Sequence, residues 1–188
     1  MTQLIIAVVA CGGFALILLL IGIVMYNGLV RLRNQVRNAW SQIDVQLKRR
    51  HDLIPNLVET VKGYAGHEKE TLENVIKARA AAVNASGVAA QSQAEMGLSG
   101  ALSKLMMVVE QYPDLKANTN FVALQEELTS TENRIGFSRQ HYNDNVMQYN
   151  TKTQSVPTNV IAGLFQFKEE AFFELEDQAQ REAPKVQF

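Results

Sequence analysis

The sequence holds a single cysteine, Cys11, and that residue lies inside an apolar N-terminal segment. A disulfide framework and a multi-cysteine zinc site are therefore excluded for the rest of the chain. The formal net charge is −1, so bulk charge selects no class of partner. Histidine is scarce as well. His51, His67 and His141 each have an acid nearby (Asp52, Glu68 and Asp144), but no two of them stand at i and i+4, as a helical zinc motif requires. Surface or helix-end roles are expected for all three. The chain has no phosphate-binding glycine loop, no dinucleotide fingerprint, and no basic stripe interleaved with aromatics to suggest nucleic acid. Met96-Gly97-Leu98-Ser99-Gly100 has no strand to present it as a nucleophile elbow. No strand pattern occurs anywhere, because the short β-branched runs fall inside helical periodicity. The expectation is a protein without cofactor, metal or small-molecule substrate, and without enzymatic activity.

Residues 4–26 are strongly apolar and carry neither a charge nor a proline. At a helical rise of about 1.5 Å per residue they reach about 34 Å, enough to cross the hydrocarbon core of a bilayer with some tilt. A cleavable signal peptide needs a basic start and a shorter apolar run. Val8-Val9-Ala10-Cys11 loosely resembles a lipoprotein cleavage box, but the apolar run continues well past Cys11, which favours an uncleaved anchor. Arg31, Arg33 and Arg37 follow the segment, while Met1-Thr2-Gln3 before it is uncharged. The positive-inside rule then places residues 1–3 outside and everything after the anchor in the cytoplasm. Tyr26 sits where an interfacial aromatic belongs. The same three arginines are candidates for gripping anionic lipid headgroups.

After the anchor, Leu29, Leu32, Val36, Trp40, Ile43, Leu47, Ile54, Leu57 and Val61 are spaced mostly by alternating threes and fours. This marks a helix packed along a narrow seam. Gly63 and Gly66 end it. Pro55 lies within the pattern and should kink the helix and free the carbonyl of His51. Arg50 also falls on the seam, where a guanidinium either snorkels out at the seam's edge or pairs with an acid on another helix. That pairing would fix the register of packing. A second helix begins near His67-Glu68, with a break expected near residues 84–88. Helical spacing resumes through Leu98, Leu102, Leu105 and Val109 and stops before Pro113. A third helix starts at Asn118-Thr119, which supply caps, and carries Phe121, Leu124, Leu128, Thr131, Ile135, Ser138, Tyr142, Val146 and Tyr149. Gly136 in its middle suggests close packing. Beyond Ser155-Val156-Pro157-Thr158, a fourth helix is expected to carry Val160, Ile161, Leu164, Phe165, Phe172 and Leu175.

The fold class expected is therefore all-α: a transmembrane helix (4–26), then an elongated antiparallel up-down bundle of about four long helices (27–181), then a flexible tail (182–188). Ala7, Cys11 and Ala15 stand at i, i+4 and i+8 on one face of the anchor, with Gly22 seven residues on. Small residues at that spacing let helices approach closely in lipid. This face continues in register into the apolar seam, so these four positions are candidate contacts of a homo-oligomer.

Two stretches are familiar. Asn38-Ala39-Trp40-Ser41-Gln42-Ile43-Asp44 runs on to Leu53-Ile54-Pro55-Asn56-Leu57, and Tyr64-Ala65-Gly66-His67-Glu68 follows. With Asn133-Arg134-Ile135, Tyr142-Asn143 and Pro157-Thr158-Asn159, they closely resemble the LemA family of bacterial proteins. The resemblance covers essentially the whole chain. It implies a helical bundle anchored in the bacterial inner membrane, with its body in the cytoplasm, and it implies no particular reaction. Some family members help to build magnetosome membranes, and some are encoded beside a membrane zinc metalloprotease. The leading expectation is a self-assembling scaffold in contact with membrane lipid. The alternative is an adaptor or regulatory partner of another membrane protein such as that protease.

Overall fold

Helical periodicity passes without a break from the apolar segment into the polar chain, and the structure follows it. In a computed structural model, which describes residues 1–174, α1 runs from Thr2 to Lys62. The side chains of Leu4, Ala7 and Val8 fall outside the described set, as do Leu175 and the expected tail 182–188. The other elements are α2 (Lys69–Asn84), α3 (Val88–Val109), α4 (Pro113–Lys116), α5 (Thr119–Gln154) and α6 (Thr158–Leu164). No strand occurs among the described residues. The protein is all-α and begins with a long apolar helix.

The chain divides into two compact units, and both α1 and α5 contribute to each of them. Unit 1 comprises Met1–Ser41 and Gln140–Glu170. Unit 2 comprises Gln42–Arg139 together with the chain from Ala171. In unit 1 the buried apolar residues are Leu29, Val36 and Ala39 of α1, Tyr142, Val146 and Tyr149 of α5, then Ala162 and Phe167. Trp40 meets Tyr142 edge-on with ring centres 5.5 Å apart, a favourable aromatic geometry. The core of unit 2 joins Ile54, Leu57 and Val61 of α1 to Leu72 and Val75 of α2, Leu98, Leu102, Leu105 and Val109 of α3, Leu115 of α4 and Phe121 of α5.

Pro55 lies inside α1, and the helix continues through it. Proline removes one N–H from the helical ladder and so leaves the His51 carbonyl without its usual donor. Arg79 of α2 supplies a replacement, its Nε donating to that oxygen at 2.7 Å. At the start of α5 the Asn118 Oδ1 accepts from the backbone N–H groups of Asn120 and Phe121 at 2.9 and 3.1 Å. That closes two of the donors a helix start leaves open.

Two expectations need correction. Gly136 does not mark a close approach, because a Cβ built there meets nothing within 4 Å. Among the described residues the fourth long helix is absent: α6 has 7 residues and ends at Leu164. Gln166 adopts φ 56°, in the left-handed region, which stops the helix. The next backbone groups are engaged by α5 instead. Tyr149 Oη donates to the Lys168 carbonyl at 2.9 Å. Asn150 closes a two-way clamp on Glu170: its Nδ2 donates to the carbonyl and its Oδ1 accepts from the N–H, each at 2.9 Å. The phenylalanines that become buried are Phe167 and Phe173, six residues apart and so on no common helical face, whereas Val160, Leu164 and Phe165 stay exposed. Four long helices do occur among the described residues, but the fourth is gained by the division between α2 and α3.

Candidate functional site

In unit 2 the α1 seam reaches Arg50 one turn before Ile54, and the next residue, His51, is carried inward with it. Both are buried, at 5% and 7% exposure, and so is Glu95 of α3 at 3%. Arg50 Nη1 donates to Glu95 Oε2 at 3.2 Å, and His51 Nε2 lies 2.7 Å from Glu95 Oε1. A carboxylate only accepts, so the ring must carry its proton on Nε2. Gln91 Nε2 also donates to Glu95 Oε1, at 3.0 Å, and to the Ala82 carbonyl of α2 at 3.1 Å. The second arm of Arg50 donates to Ser99 Oγ at 2.8 Å and lies 3.3 Å from the exposed carboxylate of Glu132 on α5. Four helices thus meet in one polar layer across an otherwise apolar core. Ser92 Oγ closes its α3 side by donating to the Glu174 carbonyl.

Such a layer defines position more than it adds stability. Two buried charges lose their hydration, and their mutual attraction roughly offsets that loss only when the remaining hydrogen bonds are also made. Both oxygens of Glu95 are engaged here. A general base must reach a proton on substrate, and this carboxylate faces only its own chain. Beside the layer an open groove of ≈ 550 Å³ is bordered by Arg50, Ser99, Leu102, Met106, Leu128 and Glu132. No group of three or more His, Cys, Asp or Glu able to hold a metal ion occurs among the described residues.

The layer also corrects the surface role expected for His51; His67 and His141 are exposed. A narrow seam of alternating threes and fours leaves out position 51. The buried face of α1 is wider, taking in His51 and Val58 as well as Arg50 and Leu57, as a helix core face of about 100° allows. Glu95 was missed, although the α3 seam Leu98, Leu102, Leu105 and Val109 steps back directly onto it. The Ala- and Ser-rich sequence around it obscured that step.

In unit 1 the aromatic side chains gather where the apolar run of α1 ends. Tyr26 meets Phe165 and Phe167 edge-on, with ring centres 4.8 and 5.6 Å apart. The Arg33 guanidinium carbon lies 4.8 Å from the centre of the Phe167 ring, a cation–π distance. Of the headgroup candidates, Arg33 is therefore half-buried on its own chain, while Arg31 and Arg37 are exposed. Of the oligomer candidates, Cys11 and Ala15 are exposed, and Ala7 falls among the undescribed side chains. Gly22 faces its own chain, since a Cβ there would lie 3.7 Å from Ile161 Cδ1. Deeper in this unit, burial pushes the Tyr142 phenol up to about 12, with the nearby Glu170 carboxylate adding to the shift. Tyr149 is raised by the same two causes, in the same order, against a partial lowering by Arg33 and Arg37.

Together these features define an all-helical protein whose α1 is, among the described residues, the one helix long and apolar enough to cross a membrane. The chain belongs to the LemA family, whose family model matches residues 39–188. It is 31% identical over 141 residues to Protein LemA of Metamycoplasma hominis, covering 72% of this chain and 63% of that protein. It is 26% identical over 175 residues to Magnetosome protein MamQ 2 of Paramagnetospirillum magneticum, covering 79% and 64%. Magnetosome protein MamQ of Magnetospirillum gryphiswaldense is 24% identical over 174 residues, with the same coverage of 79% and 64%. The chain thus spans a little under two thirds of the length of these curated relatives.

Proposed function

We propose that this chain is a non-enzymatic scaffold, anchored in the bacterial inner membrane by α1 with its body in the cytoplasm, that organises membrane through self-assembly. The observation that carries this reading is the continuity of α1. One helix holds the exposed apolar run, in which Phe14, Leu16, Leu19, Leu20 and Val24 are all more than half exposed, and also the buried seam of both units. An apolar surface of that extent is stable in lipid and costly in water. A helix that continues from the anchor into the body suits a protein that transmits position rather than one that turns over substrate. The self-satisfied charge layer of unit 2 supports the same reading. Kinship with proteins named for the magnetosome supports membership of a larger assembly.

Assembly is assigned to the anchor face bearing Ala7, Cys11 and Ala15, where small side chains permit close approach in lipid, with closed cyclic symmetry favoured over an open polymer. Gly22 leaves that set, since Ile161 of the same chain covers it. The test is the mass of the purified full chain in mild detergent by light scattering. A multimer is expected, reduced when Ala7, Cys11 and Ala15 are all replaced by Leu. A monomer at every concentration would overturn the scaffold. A monomer that gains mass only with a second membrane protein would favour an adaptor instead.

A further inference from the structure

The sequence between Lys152 and Lys168 holds no charged residue, and this segment includes the part of the chain where the fourth helix fails. α6 lies within it, and Val160 and Leu164 of α6, with Val156 and Phe165 on either side of it, point away from the core. Val156, Val160, Leu164 and Phe165 are 82%, 60%, 72% and 57% exposed, while Thr158 and Ala162 are the residues α6 buries. In water this is an inverted arrangement, with the large apolar groups outside and the small or polar ones inside.

The position of α6 accounts for the inversion. Ile161 packs over Gly22, and Phe165 over Tyr26. Gly22 is four residues, or about 6 Å of helical rise, deeper into the apolar run than Tyr26. The first charge after the run is Arg31, so the apolar boundary falls near Tyr26. α6 is thereby held about one turn inside that boundary, which matches the depth of roughly 5–10 Å at which amphipathic helices lie in a membrane interface. The backbone is prepared for such a setting. Asn159, Val160, Phe165, Gln166 and Phe167 all donate their N–H groups to carbonyls between Ser155 and Gly163, and Pro157 has none to donate. Backbone groups paired locally remove the main cost of entering an apolar phase. Between the two helices runs an almost wholly apolar groove of ≈ 370 Å³, lined by Leu18, Leu19, Gly22, Ile23, Ile161 and Phe165.

We infer that residues 156–165 form a second membrane-contacting element, which lies in the headgroup–acyl boundary beside the anchor and offers the groove to a lipid acyl chain. The inference rests on the reading of α1 as a membrane anchor and extends it. The protein would then grip one leaflet with a wedge as well as a span. Wedges of this kind are sensitive to curvature and lipid packing, a property suited to a membrane organiser.

The test uses the full chain with Cys11→Ala, reconstituted in phosphatidylcholine–phosphatidylglycerol vesicles. A nitroxide is attached at one cysteine per variant: Val160→Cys, Leu164→Cys, Leu16→Cys or Met147→Cys. All four positions are exposed in the isolated chain, so differences among them report the bilayer. Collisions with oxygen, which partitions into lipid, are compared with collisions with a water-soluble nickel chelate. The expected result is an oxygen-to-nickel ratio at 160 and 164 several-fold above that at 147 and approaching that at 16. A lipid-like ratio at 16 with water-like ratios at 160 and 164 would overturn the wedge and leave the anchor standing. A water-like ratio at 16 would overturn the anchor reading itself. Protection from both reagents at 164, with dipolar broadening between labels, would show a second copy in place of lipid and would also overturn the inference.

Discussion

Unit 2 keeps a buried arginine, histidine and glutamate in its core, whereas the core of unit 1 gathers tyrosine and phenylalanine rings, and its exposed apolar residues form a continuous run along α1 and a second group at 156–165. The two units share α1 and α5, so the difference lies in side chains rather than in type of secondary structure. Burial of charge is costly and is retained where it sets a single geometry. Apolar exposure is costly in water and acceptable against lipid. On the proposed reading, the charge layer fixes the arrangement of unit 2, and the exposed apolar surface of unit 1 faces lipid.

The largest effect should come from breaking the layer on one side. Arg50→Met leaves Glu95 buried without its cation and should lower stability by ~3–5 kcal/mol. Denaturant melts of the full chain, followed by circular dichroism, would measure it. Arg50→Met combined with Glu95→Leu should recover part of the loss, because the unpaired charge is gone while the His51 Nε2–H is left without its acceptor. If the double variant is as unstable as the sum of the singles, the two side chains are not coupled. In unit 1 the corresponding cut is Asn150→Ala, which opens the clamp on Glu170. A loss of ~1–3 kcal/mol is expected for the buried groups left unpaired, with faster amide exchange at Glu170 as the local signature. Exchange as slow as in the parent would show that the strap is held by something else.

A third effect, in unit 1, depends on pH. A phenol whose folded pKa lies above its unfolded value of 10.0 contributes stability in full below pH 10. That contribution disappears as pH rises through about 12. Stability should therefore fall across this window, and Tyr142→Phe should flatten the fall. Absorbance at 295 nm would follow the phenolates directly, and a parent whose tyrosines all titrate at the ordinary value would refute the burial argument. The smallest effect is a gain. Gly136→Ala meets empty space and should stabilise α5 by ~1 kcal/mol, readable as a raised denaturation midpoint. A loss instead would place a close neighbour at that glycine.

Much of this was legible in the sequence, and the reasons are specific. The α1 seam could be read because one residue in every three or four must be apolar along a buried helix. Leu29, Val36, Ile43, Leu47, Ile54, Leu57 and Val61 are all buried. The orphaned His51 carbonyl could be foreseen from Pro55 alone, since the missing N–H is a covalent fact; its partner, Arg79, could not. The same limit explains Arg50. Its place on the seam shows that it needs an acid, but periodicity along one helix does not say which residue of another helix arrives opposite. The chain after Leu164 was misread for a different reason. Its apolar spacing suits a helix, yet side chains of α5 engage the backbone of Lys168 and Glu170, a tertiary competition that no local pattern records. The exposed face of α6 was misread with it, because apolar residues were assumed to face a protein core.

The most direct test of this account is a cysteine scan along α1 in the full chain carrying Cys11→Ala, reconstituted in lipid vesicles and probed with a water-soluble maleimide. Val9, Leu16, Leu20, Val24, Arg31, Val45 and Asn56 are all exposed in the isolated chain, so protein packing alone would leave all seven reactive. The first four are expected to be unreactive until detergent is added, and the last three to react at once with the reagent on the side of the bilayer that holds residues 31–62. Equal reactivity at all seven positions in intact vesicles would contradict it.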